Sequence, residues 1–210
     1  SQGKWVEYAK QLENAGVDGL ELNLYSLETD PAASAADIEA RNLDVIASVK
    51  SSVAIPVAVK LSPWYTSIAN FVSKVIQAGA DGVVLFNRFY QPTIDPDTES
   101  LAIRLALSSP DETRLPLRWI AILSDRVETD LVASTGVHSS RDAIRQILAG
   151  ARATQTVSAI YRNGIEHITT MNSALADWMS EKGYESIDAF RGKLSQKNVS
   201  DPYAFERSQY

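Results

Sequence analysis

"VIQAGADGVVLFNR", residues 75–88, opens as the end of an amphipathic helix, turns at Ala78–Gly79, and runs into a short apolar strand that ends in polar residues. The same plan recurs in "QLENAGVDGLELNLY" (11–25) and "ILAGARATQTVSAIY" (147–161). The helical parts carry the right period. Ile68, Phe71, Val72, Val75 and Ile76 fall on one face, as do Trp5, Tyr8, Ala9 and Leu12, and Ile144, Ile147 and Leu148. Gly16, Gly79 and Gly150 stand where a helix C-terminus takes a left-handed residue, a conformation glycine adopts without a clashing Cβ. The strands read as near-continuous apolar runs, which predicts parallel strands buried on both faces.

Two further strands complete the pattern. "AIPVAVKL" (54–61) follows a helical segment over Asp37–Lys50, and "DLVASTGV" (130–137) follows a helix expected over Leu115–Val127. Helix and strand alternate through about five strands, the arrangement of a parallel α/β sheet. A closing helix is expected over Ile165–Met179, with apolar Ile165, Ile168, Met171, Leu175 and Trp178, and a short helix near Tyr184–Leu194. "DPYAFERSQY" (201–210) reads as a docked tail. No linker divides residues 1–210, so one domain is expected. The segment 89–114 is long for a connection between strand and helix. Its turn signals "QP", "DPD" and "SSPD" flank an alternating stretch, "SLAIRLALS", which predicts a β-hairpin over the C-terminal end of the sheet. Such an excursion serves as a binding loop or as a plain surface insertion.

The composition is 45% hydrophobic and 22% charged, ordinary for a globular chain with one sizeable core. A net charge of −6 and a pI near 5.0 repel phosphate backbones, so nucleic acid is not an expected partner. No apolar run is long enough to cross a bilayer. Cysteine is absent, which removes disulfides, thiolate metal sites and a cysteine nucleophile and suits a reducing cytoplasm.

Parallel α/β folds place their chemistry at the C-terminal ends of the strands. Those ends gather Glu21, Asn23 and Ser26; Lys60 and Ser62; Asn87 and Arg88; Ser134, Thr135 and Gly136; and Ser158. Amides, hydroxyls, one strand-end amine and glycine turns suit an electron-rich anionic ligand better than a divalent metal. Lys60 has two readings: a ligand-facing cation, or a structural partner of Glu21 on the neighbouring strand. Asn23 and Asn87 are ligand contacts or loop bridges, and Ser26 by itself reads as a turn residue. "STGVHSSRDA" (134–143) is a strand end, a glycine turn and a helix capped by Ser139 or Ser140, and its N–H groups would attract a phosphate. "VSAIYRNG" (157–164) follows the next strand and forms a second such turn. His138 is expected as a solvated or capping residue at a helix start, and His167 as a surface residue.

In order along the chain, "DGLELNLYS", "IPVAVKLSPWY", "GVVLFNRFYQP", "LPLRWIAIL", "ASTGVHSSRDA" with "ILAGA", "SAIYRNGIEH" and "DPYAFERSQY" resemble the dihydroorotate dehydrogenase family, nearest to its dihydroorotate dehydrogenase-like branch. The resemblance implies a (β/α)8 TIM barrel, of which this chain supplies about the last five strand–helix units. It is then the C-terminal part of a longer FMN-binding domain, lacking roughly three N-terminal strand units. It also implies a cytoplasmic flavin-dependent oxidoreductase of pyrimidine biosynthesis, acting on CH–CH bonds. The enzyme would oxidise dihydroorotate or a related dihydropyrimidine by hydride transfer to FMN. Relatives in the family are often dimers, which implies a homodimer by analogy.

The resemblance also assigns roles. Lys60 would reach the flavin beside N1 and O2, where reduction places negative charge. Asn23 would contact flavin and substrate, and Asn87 would hold the pyrimidine. Ser134, Thr135 and Gly136, with Val157 and Ser158, would bind the FMN phosphate through backbone N–H groups. Ser26 falls at the general base. The family's Gly-Gly phosphate turn reads Thr135-Gly136 here, its Gly-Thr reads Val157-Ser158, and the Pro and Asn of its base loop are replaced in "LYSLETD". Two other functions fit the same residues: a non-catalytic or differently specific FMN-binding subunit of a redox assembly, and a lyase or aldolase in which Lys60 forms a Schiff base.

Overall fold

The computed structural model describes residues 2–102 and 106–208. Its sheet consists of β1 (Leu20–Asn23), β2 (Val57–Leu61), β3 (Gly82–Leu85), β6 (Asp130–Ala133) and β7 (Ala153–Thr154), all parallel and lying side by side in that order. Spatial order equals chain order. Each connection therefore steps to the next position in one direction, and the sheet has no point of reversal. A parallel sheet wound in one sense carries its helices on one face, as a (β/α)8 barrel does, whereas a doubly wound sheet carries them on both.

The helices follow the strands as expected. They are α1 (Gln2–Asn14), α2 (Ala35–Lys50), α3 (Ile68–Gln77), α4 (Arg114–Leu123), α5 (Ser140–Ala149), α6 (Ser158–Asn163) and α7 (His167–Lys182). Ser34 caps α2 and Ser139 caps α5, each accepting from the backbone N–H of the acid three residues on, Asp37 and Asp142. Gly16, Gly79 and Gly150 take φ of 87°, 106° and 126° at the ends of their helices. At Gly150 a Cβ would lie 2.3 Å from the Ser124 Cβ, so both the turn and the close approach require glycine.

One core joins the helices to the sheet. Ile46 and Val49 of α2, Phe71, Val72 and Val75 of α3, and Ile120 and Leu123 of α4 pack with Leu22, Val57, Val59, Leu61, Val83, Leu85, Leu131 and Ala133. These strand residues alternate along each strand and lie side by side in register, so they share one face. The other face carries Glu21, Asn23, Ala58, Lys60, Gly82, Val84 and Val132.

Here the structure corrects the expectation of strands buried on both faces. Only β3 is buried throughout; β1, β2 and β6 alternate between buried and more open positions. Helices α2, α3 and α4 pack on one face, and Glu21 and Lys60 on the other meet Gln155 at the cavity. The face expected on α1 is likewise only partly used. Ala9 is buried, while Trp5 and Tyr8 are 40% and 65% exposed.

The expected hairpin is present. β4 (Thr93–Asp95) and β5 (Ser100–Ala102) pair antiparallel, with Ile94 opposite Leu101. Residues 103–105, the middle of the alternating stretch, lie outside the described residues. A 3-10 turn over Pro110–Thr113 leads into α4, which ends at Leu123 rather than Val127. The region near Tyr184–Leu194 holds a 3-10 turn, Ile187–Ala189, in place of a full helix. The tail docks on α4, where the Arg118 guanidinium donates to the Arg207 carbonyl at 2.7 Å. Residues 209–210 of that tail lie outside the described residues.

Candidate functional site

A cavity of about 440 Å³ opens at the C-terminal ends of the strands. Lys60, Asn87, Ser134, Thr135, Gly136, Val157 and Ser158 all line it, so seven of the nine residues to which the resemblance assigns roles meet there, and Asn23 and Ser26 do not. The segments on either side of the hairpin also contribute, through Arg88–Gln91 and Ala106–Ser108. The excursion therefore walls the site.

Lys60 is the penultimate residue of β2, and its side chain leaves the open face of the sheet. Its Nζ donates to Gln155 Oε1 at 2.8 Å and lies 3.5 Å from Glu21 Oε1. Gln155 Nε2 donates in turn to Glu21 Oε2 at 2.5 Å, which closes a triangle across the mouth of the sheet. The structural pairing of Lys60 with Glu21 is thus real, and it holds the amine at the cavity wall rather than away from it. An ammonium with 17% side-chain exposure needs such partners.

The sequence places the last strand end at Ser158 and does not single out Gln155. The structure corrects this. β7 stops at Thr154, Gln155 continues its ladder by donating from its backbone N–H to Ala133, and Val157 and Ser158 begin α6. They reach the cavity from a helix start, not from a strand end.

Asn23 pairs with Lys60 in the strand register, and Asn87 follows β3. Asn87 Nδ2 donates to Asn23 Oδ1 at 2.8 Å, so these two amides form one unit beside the lysine. Arg88 is committed to Glu112 at 2.8 Å and to the Ala106 carbonyl, which ties the returning arm of the hairpin to the sheet. Burial alone would raise the Glu112 carboxyl; Arg88 and the Ser109 N–H outweigh it and hold the group below the usual range.

The turn after β6 has an uncommon backbone. Thr135 and Gly136 both sit at positive φ, 79° and 76°. For threonine this is a strained conformation. Its Oγ1 donates to the Phe86 carbonyl at 2.9 Å and pins it there. Gly136 is required by space as well as by φ. A Cβ there would lie 2.5 Å from the Thr113 N and 2.8 Å from the Glu112 carbonyl carbon. The turn leaves the N–H groups of Thr135, Gly136 and Val137 without a protein acceptor among the described residues, and those of Ser158 and Ala159 are likewise open. Two clusters of unpartnered donors on one cavity fit an anionic group such as a phosphate. Among the described residues no cluster of His, Cys, Asp or Glu is placed to hold a metal ion.

Ser26 is not in this cavity. It is exposed on the loop after β1 and lines a neighbouring cavity of about 270 Å³ with Leu24, Leu27, Ser62, Trp64 and Tyr65. Phe89 lines both cavities and stands between them, its ring 4.5 Å from Tyr25 and 6.0 Å from Trp64. The structure thus brings Asn23, Asn87 and Lys60 together and leaves Ser26 across an aromatic partition. The two histidines are also less free than expected. His138 Nε2 lies 2.9 Å from Ser108 Oγ, and His167 Nε2 lies 2.9 Å from the His138 carbonyl. Neither contact has a local sequence signal.

A singly wound parallel sheet with helices on one face and a donor-rich cavity at its strand ends defines a barrel-type α/β protein. Its kinship is specific. The profile of the dihydroorotate dehydrogenase family matches residues 2–179, and the chain belongs to that family. A putative dihydroorotate dehydrogenase A (fumarate) from Aeropyrum pernix is 30% identical over 202 residues, covering 90% of this chain and 63% of the relative. The catalytic subunits of dihydroorotate dehydrogenase B (NAD(+)) from Thermoplasma volcanium and Bacillus pumilus are 27% and 29% identical. They are covered over 64% and 62% of their lengths, and each match takes in 90% of this chain. The chain therefore spans just under two thirds of the length of these relatives.

Proposed function

We propose that the protein is an FMN-dependent oxidoreductase of the dihydroorotate dehydrogenase type, acting on dihydroorotate or a related dihydropyrimidine. The observation that carries the reading is the joint position of Lys60, Asn87 and the two donor-rich turns on one strand-end cavity, with Asn23 outside its lining but bonded to Asn87. Bound FMN would supply the hydride acceptor. The N–H groups of the Thr135–Gly136 turn and of Ser158 would hold its phosphate. Lys60, fixed by Gln155 and Glu21, would set a positive charge where the reduced ring becomes negative. Asn23 and Asn87 present amide donors and acceptors matched to the edge of a pyrimidine ring. Ser26 would receive the substrate proton, and a ligand that touches both Ser26 and Lys60 has to pass the Phe89 partition.

The reading extends to the whole protein by kinship, with a small-molecule substrate and a homodimer as the expected assembly. Among the described residues no helix is long and apolar enough to cross a membrane. The test is a visible absorption spectrum of the purified protein supplied with FMN, followed by anaerobic titration with dihydroorotate. A bound flavin spectrum that bleaches is the expected result. A flavin spectrum that stays unchanged with dihydroorotate and with dihydrouracil makes the protein a flavin carrier instead. Failure to retain FMN overturns the reading, and borohydride trapping of a carbonyl substrate on Lys60 would then identify a Schiff-base enzyme.

A further inference from the structure

The returning arm of the hairpin meets the anion-binding turns through one buried serine. Ser108 is 5% exposed and lines the cavity beside Gly136, Val137 and Ser158. Its N–H donates to Ser158 Oγ at 3.0 Å, and its own Oγ lies 2.9 Å from His138 Nε2. His138 is seated from behind. Its backbone N–H donates to Asp142 Oδ2 at 3.2 Å, and its carbonyl lies 2.9 Å from His167 Nε2. The ring is thereby aimed at the Ser108 hydroxyl.

A serine hydroxyl has one hydrogen, and its direction decides what Ser108 offers the cavity. A doubly protonated imidazole carries hydrogen on both nitrogens. Its Nε2 then donates to Ser108 Oγ, and the hydroxyl hydrogen is left for the cavity. A neutral ring with its hydrogen on Nδ1 accepts that hydrogen instead, and Ser108 shows the cavity only lone pairs, which repel an anion; a neutral ring with its hydrogen on Nε2 donates to Ser108 as the charged ring does, so the switch belongs to the Nδ1–H tautomer.

We infer that His138 is a positioning residue. In its protonated form it turns the Ser108 hydroxyl hydrogen toward an anionic ligand beside Gly136 and Ser158, so that anion binding is linked to proton uptake. The inference rests on the phosphate-site reading above, but it needs only an anion and not a flavin. The charges facing the ring are Arg162 of α6, Asp142 of α5 and Glu112 of the 3-10 turn. Asp142 and Glu112 are already engaged by Arg145 and Arg88, and from α7 the His167 Nε2 lies 2.9 Å from the His138 carbonyl. Burial, then Arg162, hold the imidazole below its ordinary value of 6.5, against the pull of Asp142, the Ser108 backbone and Glu112. The free site is therefore largely neutral at pH 7. A bound anion raises the proton affinity of the ring, so binding tightens as pH falls through the region of 6.5 and below.

The test uses sulfate, a dianion throughout pH 5–8, with the full chain freed of bound nucleotide. Affinity is read by calorimetry at pH 8 and pH 5.5 for the unaltered protein, His138→Gln and Ser108→Ala. Glutamine keeps a donor near the position of Nε2 but does not titrate. We expect the unaltered protein to bind sulfate about threefold or more tightly at pH 5.5 than at pH 8. His138→Gln should show the same affinity at both, and Ser108→Ala should lose most of the gain at pH 5.5. Equal pH dependence in His138→Gln, unchanged binding at pH 5.5 in Ser108→Ala, or no sulfate binding at either pH overturns the inference. FMN retention, scored separately, distinguishes the two readings. Proton-linked sulfate binding without FMN retention removes the flavin assignment alone, and the reverse pattern removes this inference alone.

Discussion

Two residues show how single positions are fixed by chemistry that the chain does not announce. Thr135 stands in a left-handed conformation where glycine would be at ease, and its hydroxyl bond to Phe86 offsets part of that strain. Thr135→Gly relieves the strain while losing the bond and loosening the unfolded chain, so its stability should stay within about 1 kcal/mol of the original. Thr135→Val keeps the strained φ and loses the bond, and should be less stable than the glycine variant by about 1–2 kcal/mol in urea titrations. Lys60 is legible from sequence because an amine at the end of an apolar strand is conspicuous. Its partner Gln155 is 95 residues away and is not. If FMN occupies the site, Lys60→Ala should lower the reduction potential of the flavin and cut turnover on the order of a hundredfold. An unchanged potential removes the lysine from that role.

At the scale of elements, the cavity is built where three segments press together: the turn after β6, the 3-10 turn before α4, and the arms of the hairpin. Gly136 is the contact point, with backbone atoms of Thr113, Glu112 and Ser109 within 3.0 Å of where a Cβ would be. Gly136→Ala therefore has to move backbone, not a yielding side chain. It should destabilise the protein by at least about 2 kcal/mol and weaken anion binding together with it, measured as urea midpoint and sulfate affinity on the same samples. The repeat of helix, glycine and strand made the main elements readable, since Gly79 and Gly150 punctuate them and Phe71, Val72 and Val75 mark the inward face. The signal faltered where periodicity was brief. β7 has two residues, too few to alternate, and its apolar continuation belongs to α6. The place of Ser108 against His138 depends on how the hairpin folds back, which local pattern does not encode.

For the whole molecule, acid should act in two stages. His138 is held below its ordinary value by burial, so the unfolded chain binds more protons there; stability falls as pH drops below about 6.5. Asp81 behaves in the other range. Burial opposes its charge, but the bond from Lys50 and the Val57 N–H prevail and lower it from 3.8, so its contribution is kept above that value and lost as pH falls through the lowered one. Urea midpoints at pH 7.5, 5.5 and 3.0 should therefore decline in both steps. His138→Gln should flatten the first alone, and Asp81→Asn the second in part. The order of the strands has a further consequence, in time rather than in space. Each strand of the sheet after β1 pairs with the sheet strand that precedes it along the chain, so no pairing waits for a distant segment. The triangle around Lys60 is the exception. Glu21 and Gln155 are 134 residues apart, so the electrostatic setting of that amine is completed only after β7 has docked.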